Sequence, residues 1–159
     1  MEYSLVATWL RKDPGCLLES ALAGSFSAIS SAMVASLIAQ QAGYPPAFPL
    51  KLLGTIIAGP QNTDYDTGCM ALGIYLWLGL CIFSTTVFAH FVATRRFQSL
   101  FLMGLVWGTF SWIFLWNLFM QSFPAIYNAH IPSASVFCIW MVFGMSLTSL
   151  ALFARCSKD

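Results

Sequence analysis

The sequence predicts an all-α fold: an integral membrane four-helix bundle with a short interfacial or re-entrant helix in the first outer loop. Three observations predict it. Of the residues, 58% are apolar and only 8% charged, where a soluble domain carries about a quarter charged residues. A water-soluble chain of this composition would expose large apolar patches and aggregate. Four long stretches, at about 20–43, 69–93, 97–122 and 132–154, contain no acidic or basic side chain apart from the histidines. Each is longer than the roughly 20 residues that cross a hydrocarbon core about 30 Å thick. Each must be helical, because lipid offers no partner for a free backbone amide. The basic residues supply the third observation. Arg11 and Lys12 precede the first stretch, Arg95 and Arg96 separate the second and third, and Arg155 and Lys158 follow the fourth, leaving Lys51 alone opposite. Four crossings put the first six on one face, a strong positive-inside bias. Residues 1–159 read as a single transmembrane domain with both termini cytoplasmic and residues 44–67 and 124–130 outside.

Residues 1–15 read as a surface segment. Leu5, Val6, Trp9 and Leu10 suit a brief amphipathic turn on the membrane, and Asp13-Pro14-Gly15 is expected to end it. The first span is the least hydrophobic, yet too long for a signal-peptide core and entered past Glu19, so it is expected to be retained. Ser20, Gly24, Ala28, Ala32 and Ser36 recur along it every fourth residue, a small-residue stripe that lets another helix backbone approach closely. Gly24, Ala28 and Ala32 are its expected packing positions, and the helix is expected to be central.

Pro45, Pro46 and Pro49 forbid continuation of that helix. The next piece, "LKLLGTIIAG", is apolar but too short to span, and Gly59-Pro60 closes it. The polar run that follows holds Asp64 and Asp66, a two-carboxylate pair with no third ligand, best read as solvated loop acids. In the third span Gly104 and Gly108 form a second close-packing pair. Trp116 and Phe119 are expected to anchor its outer end at the membrane boundary, and Asn117 and Gln121 to play structural roles there.

His90 lies about one and a half turns inside the Arg95–Arg96 boundary, and His130 lies at the opposite face before Pro132. These are the candidate cofactor ligands, but they sit at opposite membrane faces and cannot hold one haem or metal together within one subunit. The bland reading makes His90 a helix-end histidine and His130 an interfacial or capping residue. No cofactor is firmly implied. Five cysteines, Cys16, Cys69, Cys81, Cys138 and Cys156, form no C-x-x-C pair and no zinc spacing. A Cys69–Cys138 disulfide is one option and buried thiols are the default. No phosphate loop or serine-hydrolase elbow occurs, so no catalytic residue is assigned. Net charge of +1 and seven basic residues do not build a nucleic-acid groove.

Residues 21–60 carry Ala23-Gly24, Met33, Gly43 with Pro45-Pro46, and Leu53-Gly54 with Gly59-Pro60. This stretch is similar to the opening of a family of uncharacterised bacterial four-helix membrane proteins, and the likeness extends loosely through "GLVWGTFSW" in the third span. Family members often carry a histidine in the second and fourth helices. Trp77 and Trp140 occupy those neighbourhoods here, which counts against histidine chemistry there. The family's association with respiratory oxidases implies an accessory role. The expected function is an accessory, non-catalytic subunit of a membrane complex, respiratory and in the bacterial inner membrane. Its expected partners are the bilayer, other integral membrane subunits or copies of itself, and no nucleic acid. The alternative is a small homo-oligomeric channel or carrier, lined by Ser27, Ser30, Ser31, Thr85 and Thr86.

The topology has a direct check. Epitope tags at the two ends should be digested only in inverted vesicles, and a tag inserted after Gln61 only from outside the cell. Ends that face opposite compartments would refute the even number of crossings.

Overall fold

In the computed structural model, residues 14–59, 67–92, 96–123, 129 and 131–156 are described. They form α1 (Pro14–Gln41), α2 (Phe48–Ala58), α3 (Thr67–Phe91), α4 (Phe97–Ser111), α5 (Ser133–Ser146) and α6 (Leu150–Cys156). A π-helical segment, Trp112–Phe119, and a 3₁₀ turn, Met120–Ser122, continue α4, and a 3₁₀ turn, Leu147–Ser149, joins α5 to α6. Four helical stretches are long and apolar enough to cross a membrane: Leu17–Gln41, Thr67–Phe91, Phe97–Leu118 and Ser133–Phe153. The chain is thus an all-α integral membrane protein with one short apolar helix, α2, between its first two spans. Residues 5–10, Asp64, Asp66, Arg95 and His130 lie outside the described residues.

Helix boundaries depart from expectation in three places. α1 begins at Pro14, not near residue 20. Proline is tolerated in a first helical turn, where its missing amide had no partner to lose, so Pro14 and Gly15 open the helix. α1 ends at Gln41, two residues early, because Gly43 takes φ +82°. The Gly43 amide donates to Gln40 O and the Tyr44 amide to Ala39 O, a glycine cap that satisfies the last carbonyls. The fourth span is not one regular helix. Ser146 Oγ donates to Phe143 O at 2.7 Å and Thr148 Oγ1 to Met145 O at 2.8 Å. Hydroxyls that take carbonyls three residues back compete with the α-helical pattern, and the chain tightens to 3₁₀ between them.

α1 packs against both α3 and α5, and α4 packs on α5. α2 lies along the first turns of α3, running antiparallel to it: Leu50 meets Gly73, and Gly54 meets Cys69. A Cβ at Gly73 would overlap the Leu50 carbonyl, and one at Gly54 the Cys69 carbonyl. At the other contact, a Cβ on Gly104 would overlap the Gly144 carbonyl, and one on Gly144 the Gly104 carbonyl. Both crossings are backbone on backbone, the packing that small residues permit in lipid. The alternation of helix directions gives the bundle two ends. The loop end carries the end of α1, α2, the start of α3, the 3₁₀ turn Met120–Ser122 and the start of α5; the terminal end carries the start of α1, the end of α3, the start of α4 and α6.

These contacts predict a contrast between two glycines on α3. Gly73→Ala forces backbones apart and should cost about 1–3 kcal/mol or more, read as a lowered unfolding midpoint in detergent. Gly79, with open space around its Cα, should accept alanine with no loss.

Candidate functional site

At the loop end the helices enclose a cavity of about 510 Å³. One wall is the α1 alanine row, Ala32, Ala35, Ala39 and Ala42, whose short side chains leave space that a leucine row would fill. α2 closes the opposite side with Phe48, Leu50 and Leu53, while Trp77 of α3 and Ile139 and Trp140 of α5 supply further walls. Trp116 and Met120 enter from the end of the third span, and Ile131 and Pro132 from the connection that precedes α5. Gln41 and Tyr44 are exposed lining residues and mark the mouth.

The geometry of the walls is set by tryptophan. The buried Trp77 indole donates to Ala28 O across the α1–α3 contact at 3.0 Å, which satisfies the nitrogen and turns the ring along the cavity. The rings of Trp77 and Trp140 tilt against each other with centroids 5.6 Å apart, and Phe143 meets Trp140 edge-on at 5.4 Å. Both distances lie within the range of favourable aromatic pairs. α2 holds its own entrance through a stacked Tyr44–Phe48 pair at 4.4 Å.

Trp116 departs from expectation. It is only 8% exposed and lines the cavity, rather than anchoring the helix at the membrane boundary. The π-helical segment changes the local residue spacing: the Met120 amide donates to both Leu115 O and Trp116 O. No proline or glycine occurs within Trp112–Phe119 to account for the irregularity. The buried indole nitrogens of Trp112 and Trp116, both in this segment, have no hydrogen-bond partner. Buried donors without acceptors reduce stability, and π-helical turns concentrate at functional sites. Asn117, in the same segment, is exposed.

Volume and chemistry together limit what the cavity can hold. Ligand pockets run from about 300 to 1,000 Å³. Water is a poor filler, because a buried water needs several polar partners. The walls are almost entirely carbon, with Gln41, Tyr44, Ser135 and the indoles the only polar side chains among the described lining. The space suits an apolar occupant.

The other sequence candidates are placed elsewhere. Gly24 meets the Ile82 backbone of α3, Ala28 supplies the Trp77 acceptor, and Ala32 lines the cavity. Gly104 and Gly108 face α5. His90 is exposed near the end of α3, with Nδ1 2.7 Å from Thr86 O. A carbonyl oxygen can only accept, so that nitrogen is the donor. Among the described residues no group of three or more His, Cys, Asp or Glu side chains comes together. Cys69 and Cys138 are free thiols; Cys69 Sγ donates to Lys51 O at 3.3 Å, and Cys138 is exposed. Ser27, Ser31 and Thr85 are wholly buried within the single bundle, out of reach of a pore formed between copies. Ser30 and Thr86 return their hydroxyls to carbonyls of their own helices. No protein-family model, curated protein or solved structure matches this chain.

The Trp77 donor separates polar from packing contributions. Trp77→Phe should cost about 0.6 kcal/mol and no more than about 1.7, the span of interhelical hydrogen bonds measured in membranes. Trp77→Ala should cost about 3–5 kcal/mol. Unfolding in mixed detergent measures both.

Proposed function

We propose that this chain is an accessory, non-catalytic subunit of a multi-subunit integral membrane complex, respiratory in kind and seated in the bacterial inner membrane. Its task is to hold neighbouring helices together and to keep lipid or quinone contacts in place. Both termini face the cytoplasm, so the loop end and its cavity lie toward the outer face.

The observation that carries this reading is where the molecule places its polar and apolar groups. Two indoles inside the bundle are directed to neighbouring helices, Trp77 to Ala28 O and Trp107 to Ser84 Oγ at 2.9 Å. The outward side of α4 is a long apolar face, with Phe97, Leu102, Val106 and Phe110 all more than half exposed. Such a face suits lipid and other apolar helices alike. Support also comes from the resemblance of residues 21–60 to membrane proteins associated with respiratory oxidases.

Isolation of the tagged chain from native membranes in mild detergent tests the proposal. Other integral membrane proteins should co-purify in fixed ratio, and charged substitutions on the α4 face, such as Val106→Glu, should release them while the helical content stays unchanged. Recovery of the chain alone from its native membrane would refute the accessory role.

A further inference from the structure

We propose that the loop-end cavity binds one hydrocarbon chain of a membrane amphiphile, acyl or isoprenoid, with the polar head held at the mouth by Gln41 and Tyr44. This specifies the lipid-or-quinone contact of the proposed function and rests on that reading only for its biological purpose; the binding itself rests on the cavity.

Four features select this ligand class. The walls are mostly carbon, so a polar solute would lose most of its hydration without replacement. The polar side chains collect where the cavity opens: Gln41 and Tyr44 are exposed there, and Ser135 is partly so. An apolar interior with a polar mouth matches a molecule with an apolar tail and a polar head. The volume, about 510 Å³, admits no partner helix, since a helix about 10–12 Å wide at 5.4 Å per turn would fit roughly one turn. A flexible chain adapts to such a space. Finally, the space is built by specific choices: alanines along one face of α1, α2 seated on α3 through Gly54 and Gly73, and a π-helical segment that brings Trp116 into the wall. A bundle made only to pack would close over the alanine row.

Photo-crosslinking in vesicles tests the proposal with two probes. One is a phosphatidylcholine with a diazirine in its acyl chain; the other is a quinone with a diazirine on its isoprenoid tail. Trp77 and Trp140 are buried, so only a chain inside the cavity reaches them, whereas Ile29 and Met33 are exposed on α1 and label from the surrounding bilayer. Label is expected on Trp77 or Trp140 in the wild-type chain, and the probe that delivers it identifies the source. Ala35→Phe fills the cavity from α1 and should lower that label by about tenfold, as an inserted ring competes for packed space. Label on Ile29 should not change. Ile139→Trp repeats the test from α5 should the first variant fail to fold. Label confined to outward residues in the wild type with both probes, or undiminished label on Trp77 and Trp140 in a folded variant, would overturn the proposal. Neither result depends on whether other subunits co-purify, so the accessory role and the bound chain stand or fall separately.

Discussion

The close approach of helix backbones at glycine holds this architecture together. In lipid, apolar side chains gain little by leaving their surroundings for another helix, so association depends on dense contact between surfaces. Gly54 and Gly73 let α2 and α3 touch through carbonyls, and Gly104 and Gly144 do the same for α4 and α5. α1 then packs against both α3 and α5. Removing the first contact would do more than loosen a short helix: α2 forms one wall of the cavity, and its seat on α3 sets how wide that cavity is.

Polar groups within the spans follow a second rule, that of satisfaction close at hand. Ser25, Ser30, Thr86 and Thr109 return their hydroxyls to the carbonyl four residues earlier. Two indoles do otherwise and tie helices together, Trp77 to α1 and Trp107 to α3. The Trp107 ring also lies between Phe88 and Phe110, with centroids 5.8 and 5.5 Å away. α3 and α4 therefore meet through a large side chain, whereas α1–α3, α2–α3 and α4–α5 meet through glycine. The π-helical segment breaks the pattern, with the buried indole nitrogens of Trp112 and Trp116 lacking partners. Of the two, Trp116 lies in the cavity wall, where a proposed binding site gives a reason to accept it; the buried hydroxyls of Ser27, Thr85 and Ser149 lack partners elsewhere in the bundle.

Length, composition and charge placement determined the class of this protein without any tertiary information. Four apolar stretches of spanning length leave helices as the only solution in lipid, and the proline cluster followed by "LKLLGTIIAG" marks the short helix between the first two. Gly104 and Gly108, legible as a close-packing pair, do face α5 in the folded chain. Boundaries were less legible. A proline at position 14 reads as a stop or a start, and only the folded chain shows a helix running on from it. The break at Leu147–Ser149 depends on which carbonyl each hydroxyl takes, a choice that spacing leaves open.

The cavity was invisible in the sequence, for a physical reason. It is made by residues far apart in the chain: alanines of α1, aliphatic residues of α2, and Trp77, Trp116 and Trp140 of three different spans. Small residues every fourth position announce that something approaches α1, but not whether it is a backbone at Gly24 or a void at Ala32. Trp116 carries a lipid-boundary signature by position, and the altered hydrogen-bond register of the π-helical segment accompanies its burial. Hydrophobicity along the chain decides what surrounds a helix on average. Which side of each helix meets backbone, ring or open space is decided only when the helices are set against one another.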